Sequence, residues 1–133
     1  MKTKRGRKKL LFEFLRIIEE ILPPFILMEN VPGIKSEING KILTEFLNRL
    51  KEKYDVYDEI LNAANYGVPQ ARRRYVLHAV RKDINNELKT YGFVFALPIA
   101  THNKNGTDGL KSWKTVRDAI GDRTTHKRGN LSR

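Results

Sequence analysis

Two short stretches hold residue types at spacings that could do chemistry. Glu29-Asn30 follows the apolar run Phe25-Ile-Leu-Met28 and precedes Val31-Pro32-Gly33. In open α/β sheets ligands bind beyond the carboxyl ends of the strands, so a carboxylate there is poised over a crevice. The same residue could equally cap the segment that follows. Further on, Gln70-Ala-Arg72-Arg73-Arg74 leads into the β-type run Tyr75–Val80. Strand alternation would put Arg72 and Arg74 on one face and Arg73 on the other. Two guanidiniums side by side repel unless an anion bridges them, and phosphate or carboxylate does this well. A solvated edge strand with basic side chains reads the same way. Asn62, Asn65, Gly67 and Pro69 mark a turn ahead of it.

Other chemistries are excluded or weakened. The chain has no cysteine, so it contains no disulfide, thiolate metal site or thiol nucleophile. His78, His102 and His126 are too scattered to suggest a metal centre, and none is expected. The formal charge of +11, from 26 basic and 15 acidic residues, favours a polyanionic partner, because neutralised phosphates release condensed counterions. The basic residues cluster at Lys2–Lys9, at Arg72–Arg74 and from Lys111 to Arg133. No apolar run approaches the roughly 20 residues of a membrane span, and no signal-type segment follows the basic start. Cytoplasmic, nucleoid-associated residence is therefore expected.

The elements that must position these residues can be read from periodicity. Leu10 to Leu22 repeats apolar residues at helical spacing, and Pro23-Pro24 ends that helix. Phe25–Met28 reads as a strand buried on both faces, as in a parallel sheet. A second amphipathic helix runs from about Ile38 to Lys53, then strands over Tyr54–Leu61 and Tyr75–Val80. The order indicates an α/β sheet. Beyond Asp83 the pattern weakens. The apolar stretch Phe93–Leu97 precedes a polar loop over 101–109, and Trp113 to Ile120 could form a short helix with Trp113, Val116 and Ile120 on one face. The tail, Asp122–Arg133, is expected to be mobile.

The segment Phe25-Ile-Leu-Met-Glu-Asn-Val-Pro-Gly-Ile34 resembles the Glu-Asn-Val motif of the C5 cytosine-specific DNA methyltransferases. Leu61-Asn-Ala-Ala-Asn-Tyr-Gly-Val-Pro-Gln-Ala-Arg-Arg-Arg-Tyr75 is similar to that family's Gln-x-Arg-x-Arg motif with its lead-in. The spacing between the two also fits, and Pro98 to Gly121 resembles the stretch leading into the target-recognition region. The resemblance implies part of an S-adenosylmethionine-dependent, Rossmann-like methyltransferase sheet, its C-terminal half (residues 1–83), followed by the start of a target-recognition region (84–133). In that family a cysteine thiolate attacks C6 of a cytosine flipped out of duplex DNA, and C5 then takes a methyl group from S-adenosylmethionine. Glu29 would hydrogen-bond the cytosine at N3 and its amino group, in a protonated form that burial would promote. Arg74 would hold the cytosine O2 or its phosphate, and Arg72 would support that pocket and the DNA backbone. Asn30 would anchor its loop, Gln70 would position the arginine-bearing strand, and Arg73 would contact DNA.

The sequence also departs from the family. The Gly-rich cofactor loop and the Pro-Cys motif are absent, and no residue here can be assigned to S-adenosylmethionine. The expectation is an enzyme of this family present as a fragment inactive alone, its relatives serving restriction-modification. Alternatives are one subunit of a split methyltransferase, completed by a second polypeptide with the cofactor loop and Pro-Cys motif, or a non-catalytic DNA-binding module.

Overall fold

The structure is a computed structural model that describes residues 4–121, and the expectation of a mobile tail lies outside them. The described residues form two units. The first takes the chain up to Leu61 together with Arg73–Pro98; the second takes Asn62–Arg72 and the chain from Ile99 on.

The first unit opens with helix α1 (Lys4–Ile21), which begins six residues ahead of the apolar periodicity. Lys and Arg are good helix formers, so the basic stretch extends the helix without needing an apolar face. Leu15 and Ile18 turn into the core, while Arg16 bonds Glu13 and Glu20 on the solvent side. The helix ends where Leu22, at φ 49°, donates to the Ile18 carbonyl ahead of the two prolines. Strand β1 (Phe25–Asn30) follows, then a 3₁₀ turn over Pro32–Lys35, helix α2 (Glu37–Lys53) and strand β2 (Tyr54–Asn62). Leu43, Phe46 and Leu50 of α2 pack against α1, where Phe14 and Phe46 stack with centroids 6.3 Å apart.

Strand β3 (Arg73–Arg81) lies between the other two, giving the order β1-β3-β2. It pairs antiparallel with β1, so the expectation of a parallel sheet at β1 is corrected. So is burial on both faces. Ile26 and Met28 meet the core with Tyr75, Leu77 and Ala79, but Leu27 is 70% exposed and Phe25 is half exposed. A short apolar run looks the same whether one face or both are covered, and periodicity cannot decide between them. Over the open face comes Phe95, from the irregular stretch after α3, its ring 5.8 Å from Phe25, 5.7 Å from Tyr57 and 6.2 Å from His78.

Helix α3 (Lys82–Thr90) was not expected from the sequence. Its signals are present in hindsight: Asp83 in the first turn, and Gly92 in the left-handed conformation just past the end, with Phe93 donating back to Leu88. Asn85 on its inner face is fully buried and donates to Asp55 of β2 at 2.5 Å.

The second unit contains a 3₁₀ turn (Ala63–Tyr66), two parallel two-residue strands, β4 (His102–Asn103) and β5 (Lys111–Ser112), and helix α4 (Val116–Ile120). The helix expected from Trp113 starts only at Val116, because Thr115 and Asp118 close a reciprocal capping box that fixes its first turn there. Trp113 lies outside it, and Val116 and Ile120 are both exposed, so the expected shared apolar face is not used. Among the described residues no helix is long and apolar enough to cross a membrane.

Candidate functional site

Glu29 and Arg74 are brought together. The register of β1 on β3 sets Glu29 opposite Val76 and Asn30 opposite Tyr75, so Arg74 reaches diagonally to the end of β1. Arg74 Nε lies 2.5 Å from Glu29 Oε1, and Arg74 Nη1 donates to the Arg73 carbonyl at 2.9 Å. Both side chains stand on the sheet face opposite α1 and α2. The Glu29 side chain is 56% exposed, so the burial expected of it is not found in the chain by itself. The pair sets acceptor oxygens beside guanidinium N–H donors at an accessible strand end. Such an arrangement can read the edge of a planar heterocycle carrying both donors and acceptors.

Asn30 is turned to its own loop: its side-chain oxygen accepts the Val31 N–H at 2.8 Å. The turn is closed further by Ile34 donating to the Val31 carbonyl and Ser36 to that of Gly33, and Ile34 is buried. Lys35, at the end of the turn, meets Asp58 of β2 at 2.9 Å and lies 5.2 Å from the centre of the Tyr75 ring on β3. Burial, reinforced by the Asp58 carboxylate, pushes the Tyr75 hydroxyl well above the ordinary phenol range. Sequence reasoning missed Lys35, Asp58 and Tyr75, since only the fold brings positions 35, 58 and 75 together.

Arg72 departs from expectation. It stands just before β3, in the second unit, with its carbonyl taken by the Ala63 N–H, so strand alternation does not govern where it points. Arg72 thus lies one residue outside the strand whose alternation was expected to pair it with Arg74. Gln70 lies in the same loop, accepting the Arg72 N–H at 2.9 Å while its own N–H reaches Val68. Arg73 opens β3, exposed, on the side opposite Arg74.

The second unit shapes that loop from within. Trp113 Nε1 donates to Asn65 Oδ1 at 2.9 Å, and the Thr101 N–H donates to the Asn65 carbonyl. Gly67 sits at φ 82°, where a Cβ would meet the His102 ring at 2.9 Å, so glycine serves both the backbone conformation and the close approach.

A groove of about 740 Å³ runs beside β1 within the first unit, with Leu10, Phe14, Leu27, Val31 and Ile42 in its apolar walls. Of the polar residues lining it, Glu29 is engaged by Arg74 and Asn30 by Val31. Ser36 is a further polar residue there, and cofactor binding is not assigned to these residues.

Comparison with known proteins gives this geometry a setting. The chain is 36% identical over 120 residues to the type II methyltransferase M.BsuRI of Bacillus subtilis, covering 90% of the chain and 26% of that relative. It is 34% identical over 130 residues to the type II methylase M.HgiDII of Herpetosiphon aurantiacus, covering 96% of the chain and 32% of that relative. Among solved structures, an Escherichia coli prophage protein named as a DNA modification methyltransferase superposes with a TM-score of 0.61 at 27% identity, over 86% of this chain and 30% of that one. The chain thus spans about a third or less of the length of these relatives. A family profile matches residues 1–133, and on that match the chain belongs to the C-5 cytosine-specific DNA methylase family.

Proposed function

We propose that the chain supplies the base-recognition half of a DNA (cytosine-5-)-methyltransferase and does not transfer methyl groups alone. The observation that carries this is the Glu29–Arg74 pair, assembled at an open strand end in a chain of this family. A cytosine flipped from the duplex presents a ring nitrogen, an amino group and a carbonyl along one edge. Glu29, carrying a proton when the base is bound, donates to the ring nitrogen and accepts from the amino group, and Arg74 donates to the carbonyl oxygen or the adjoining phosphate. Binding the base there draws electron density from C6; a thiolate adding at C6 makes C5 the carbon nucleophile, and after methylation loss of the C5 proton expels the thiolate and restores the ring. S-adenosylmethionine, when bound, supplies the methyl group that C5 takes.

The remaining residues orient rather than react. Asn30 keeps the β1 turn closed through its bond to Val31, and Gln70 keeps the loop before β3 closed by accepting the Arg72 N–H through its carbonyl. Arg72 and Arg73, both exposed, contact the DNA backbone, and the +11 charge supports a phosphate-bearing partner. The thiolate cannot come from this chain, which has no cysteine. A second polypeptide, or further sequence of the same one, provides it together with the cofactor loop.

The test is methyl transfer from labelled S-adenosylmethionine to duplex DNA by the chain alone and mixed with a polypeptide bearing the Gly-rich loop and Pro-Cys motif. Transfer is expected only in the mixture, and Glu29→Gln should lower it by about a hundredfold or more with DNA affinity retained. Transfer that survives Glu29→Gln would sink the assignment. DNA binding without transfer in any mixture would leave a DNA-binding module.

A further inference from the structure

Resting on the reading of Glu29 and Arg74 as the base-recognition pair, we propose that Lys35 is a positioning residue that holds the two in register from behind the sheet. The chain from Glu29 to Lys35 is short and internally bonded: Asn30 accepts from Val31, Ile34 donates to Val31, and Ile34 is buried. Wherever Lys35 is held, Glu29 is held within one turn of it. The Lys35 ammonium is held twice, at 2.9 Å from the Asp58 carboxylate on β2 and 5.2 Å from the Tyr75 ring centre on β3. Tyr75 directly follows Arg74, and its backbone stands opposite Asn30, which directly follows Glu29. One cation thus braces the residue that adjoins Arg74 and, through the pairing of that residue with Asn30, the strand end that carries Glu29. It does so from the helix-covered face, on which Tyr75 is buried, whereas Glu29 and Arg74 meet on the opposite face.

The surroundings make the brace hard to replace. The Asp58 side chain is only 20% exposed. The Tyr75 hydroxyl is fully buried beside the Asp58 carboxylate. Without Lys35, the largely buried Asp58 carboxylate would be left with no cation beside it. The turn would then gain by moving toward water, carrying Glu29 with it. Lys35 itself touches no reacting atom, so its effect should appear in the chemical step more than in DNA affinity.

Two measurements decide this, one independent of methyl transfer. In the isolated chain, Lys35→Met should speed hydrogen exchange at the Ile34 and Ser36 amides about tenfold, and Asp58→Asn should add little on top, because both break one interaction. In the complemented enzyme, Lys35→Met should lower kcat about tenfold and leave KM for DNA within about twofold, with Lys35→Arg recovering most of the loss. Unchanged exchange at Ile34 and Ser36 overturns the brace. Faster exchange with unchanged kcat overturns the positioning role, and a loss confined to KM makes Lys35 a DNA contact instead. If the wild-type mixture transfers no methyl groups, the reading of Glu29 and Arg74 fails, while exchange in the isolated chain still decides the brace. Should Lys35→Met not fold, Asp58→Asn carries the same comparison.

Discussion

The two units are held by different forces. The first is organised around apolar side chains: Leu15, Phe46, Leu50, Tyr54, Tyr75 and Leu77 are all at or near zero exposure. In the second, Ala64 and His102 are the buried residues among those described, and the shape comes from polar bonds. Asn103 alone accepts three backbone N–H groups, from Asn105, Gly106 and Thr107, and donates to the Thr107 carbonyl and hydroxyl. Burial is collective, since each core side chain touches several others, whereas a hydrogen bond contributes about 1 kcal/mol by itself. The residues assigned to base recognition, Glu29 and Arg74, stand on the collectively held unit. Arg72, assigned to the DNA backbone, and Gln70, which closes its loop, stand on the one that can be loosened a bond at a time.

The largest expected effect is therefore in the first unit. Phe46→Ala removes a fully buried ring that stacks on Phe14, and should destabilise the chain by about 3–5 kcal/mol in urea unfolding followed by far-UV circular dichroism. A loss below about 1 kcal/mol would mean that the α1–α2 contact is not the centre of stability.

In the second unit the counterpart is Gly67→Ala, which meets both the left-handed backbone and the His102 ring. It should cost about 1–2 kcal/mol, felt locally. Trp113, the chain's one tryptophan, bonds Asn65 in this unit, so its fluorescence reports the loop directly. Its transition should fall at lower urea than the circular dichroism transition, and further below it in Gly67→Ala. Coincident transitions in both proteins would show a single cooperative unit and dissolve the contrast. Asn103→Ala should follow, lowering the fluorescence midpoint by about 1–2 kcal/mol while leaving the dichroism midpoint in place.

The same contrast separates what the sequence showed from what it hid. Regular burial leaves a periodic trace: α2, β2 and β3 stand close to where the apolar spacing put them, and the Glu29 strand was found from its apolar run. Whether β1 was covered on one face or two left no trace, because the covering layer lies elsewhere in the chain. Unit two, built largely from asparagine, threonine and glycine, read as a turn, a polar loop and a short helix placed three residues early. The Glu-Asn-Val and Gln-x-Arg-x-Arg stretches were legible as motifs, but their partners were not. Nothing in the spacing showed that Arg74 and not Arg72 meets Glu29, or that Lys35 meets Asp58.

The smallest effect expected is at α4, where Thr115 and Asp118 bond reciprocally. The Asp118 carboxylate accepts the Thr115 N–H at 2.7 Å and its hydroxyl at 2.8 Å. Those two bonds, backbone first, hold its pKa below the ordinary value of 3.8, with Lys114 and Arg117 adding to the shift. A carboxyl whose folded pKa is depressed contributes stability above its unfolded pKa and loses it as pH falls through the folded one. The cap should therefore be intact at neutral pH and begin to fail only below the ordinary carboxylate range. The amide of Asp118, which donates to the Thr115 hydroxyl at 3.2 Å, should then exchange faster as acid is added, after correction for intrinsic rates. Asp118→Ala should remove the pH dependence, because it takes away the titrating carboxylate and both bonds that carboxylate accepts. If the acid response persisted in that variant, the short helix would be held by something other than its capping box, and the polar account of the second unit would lose its clearest instance.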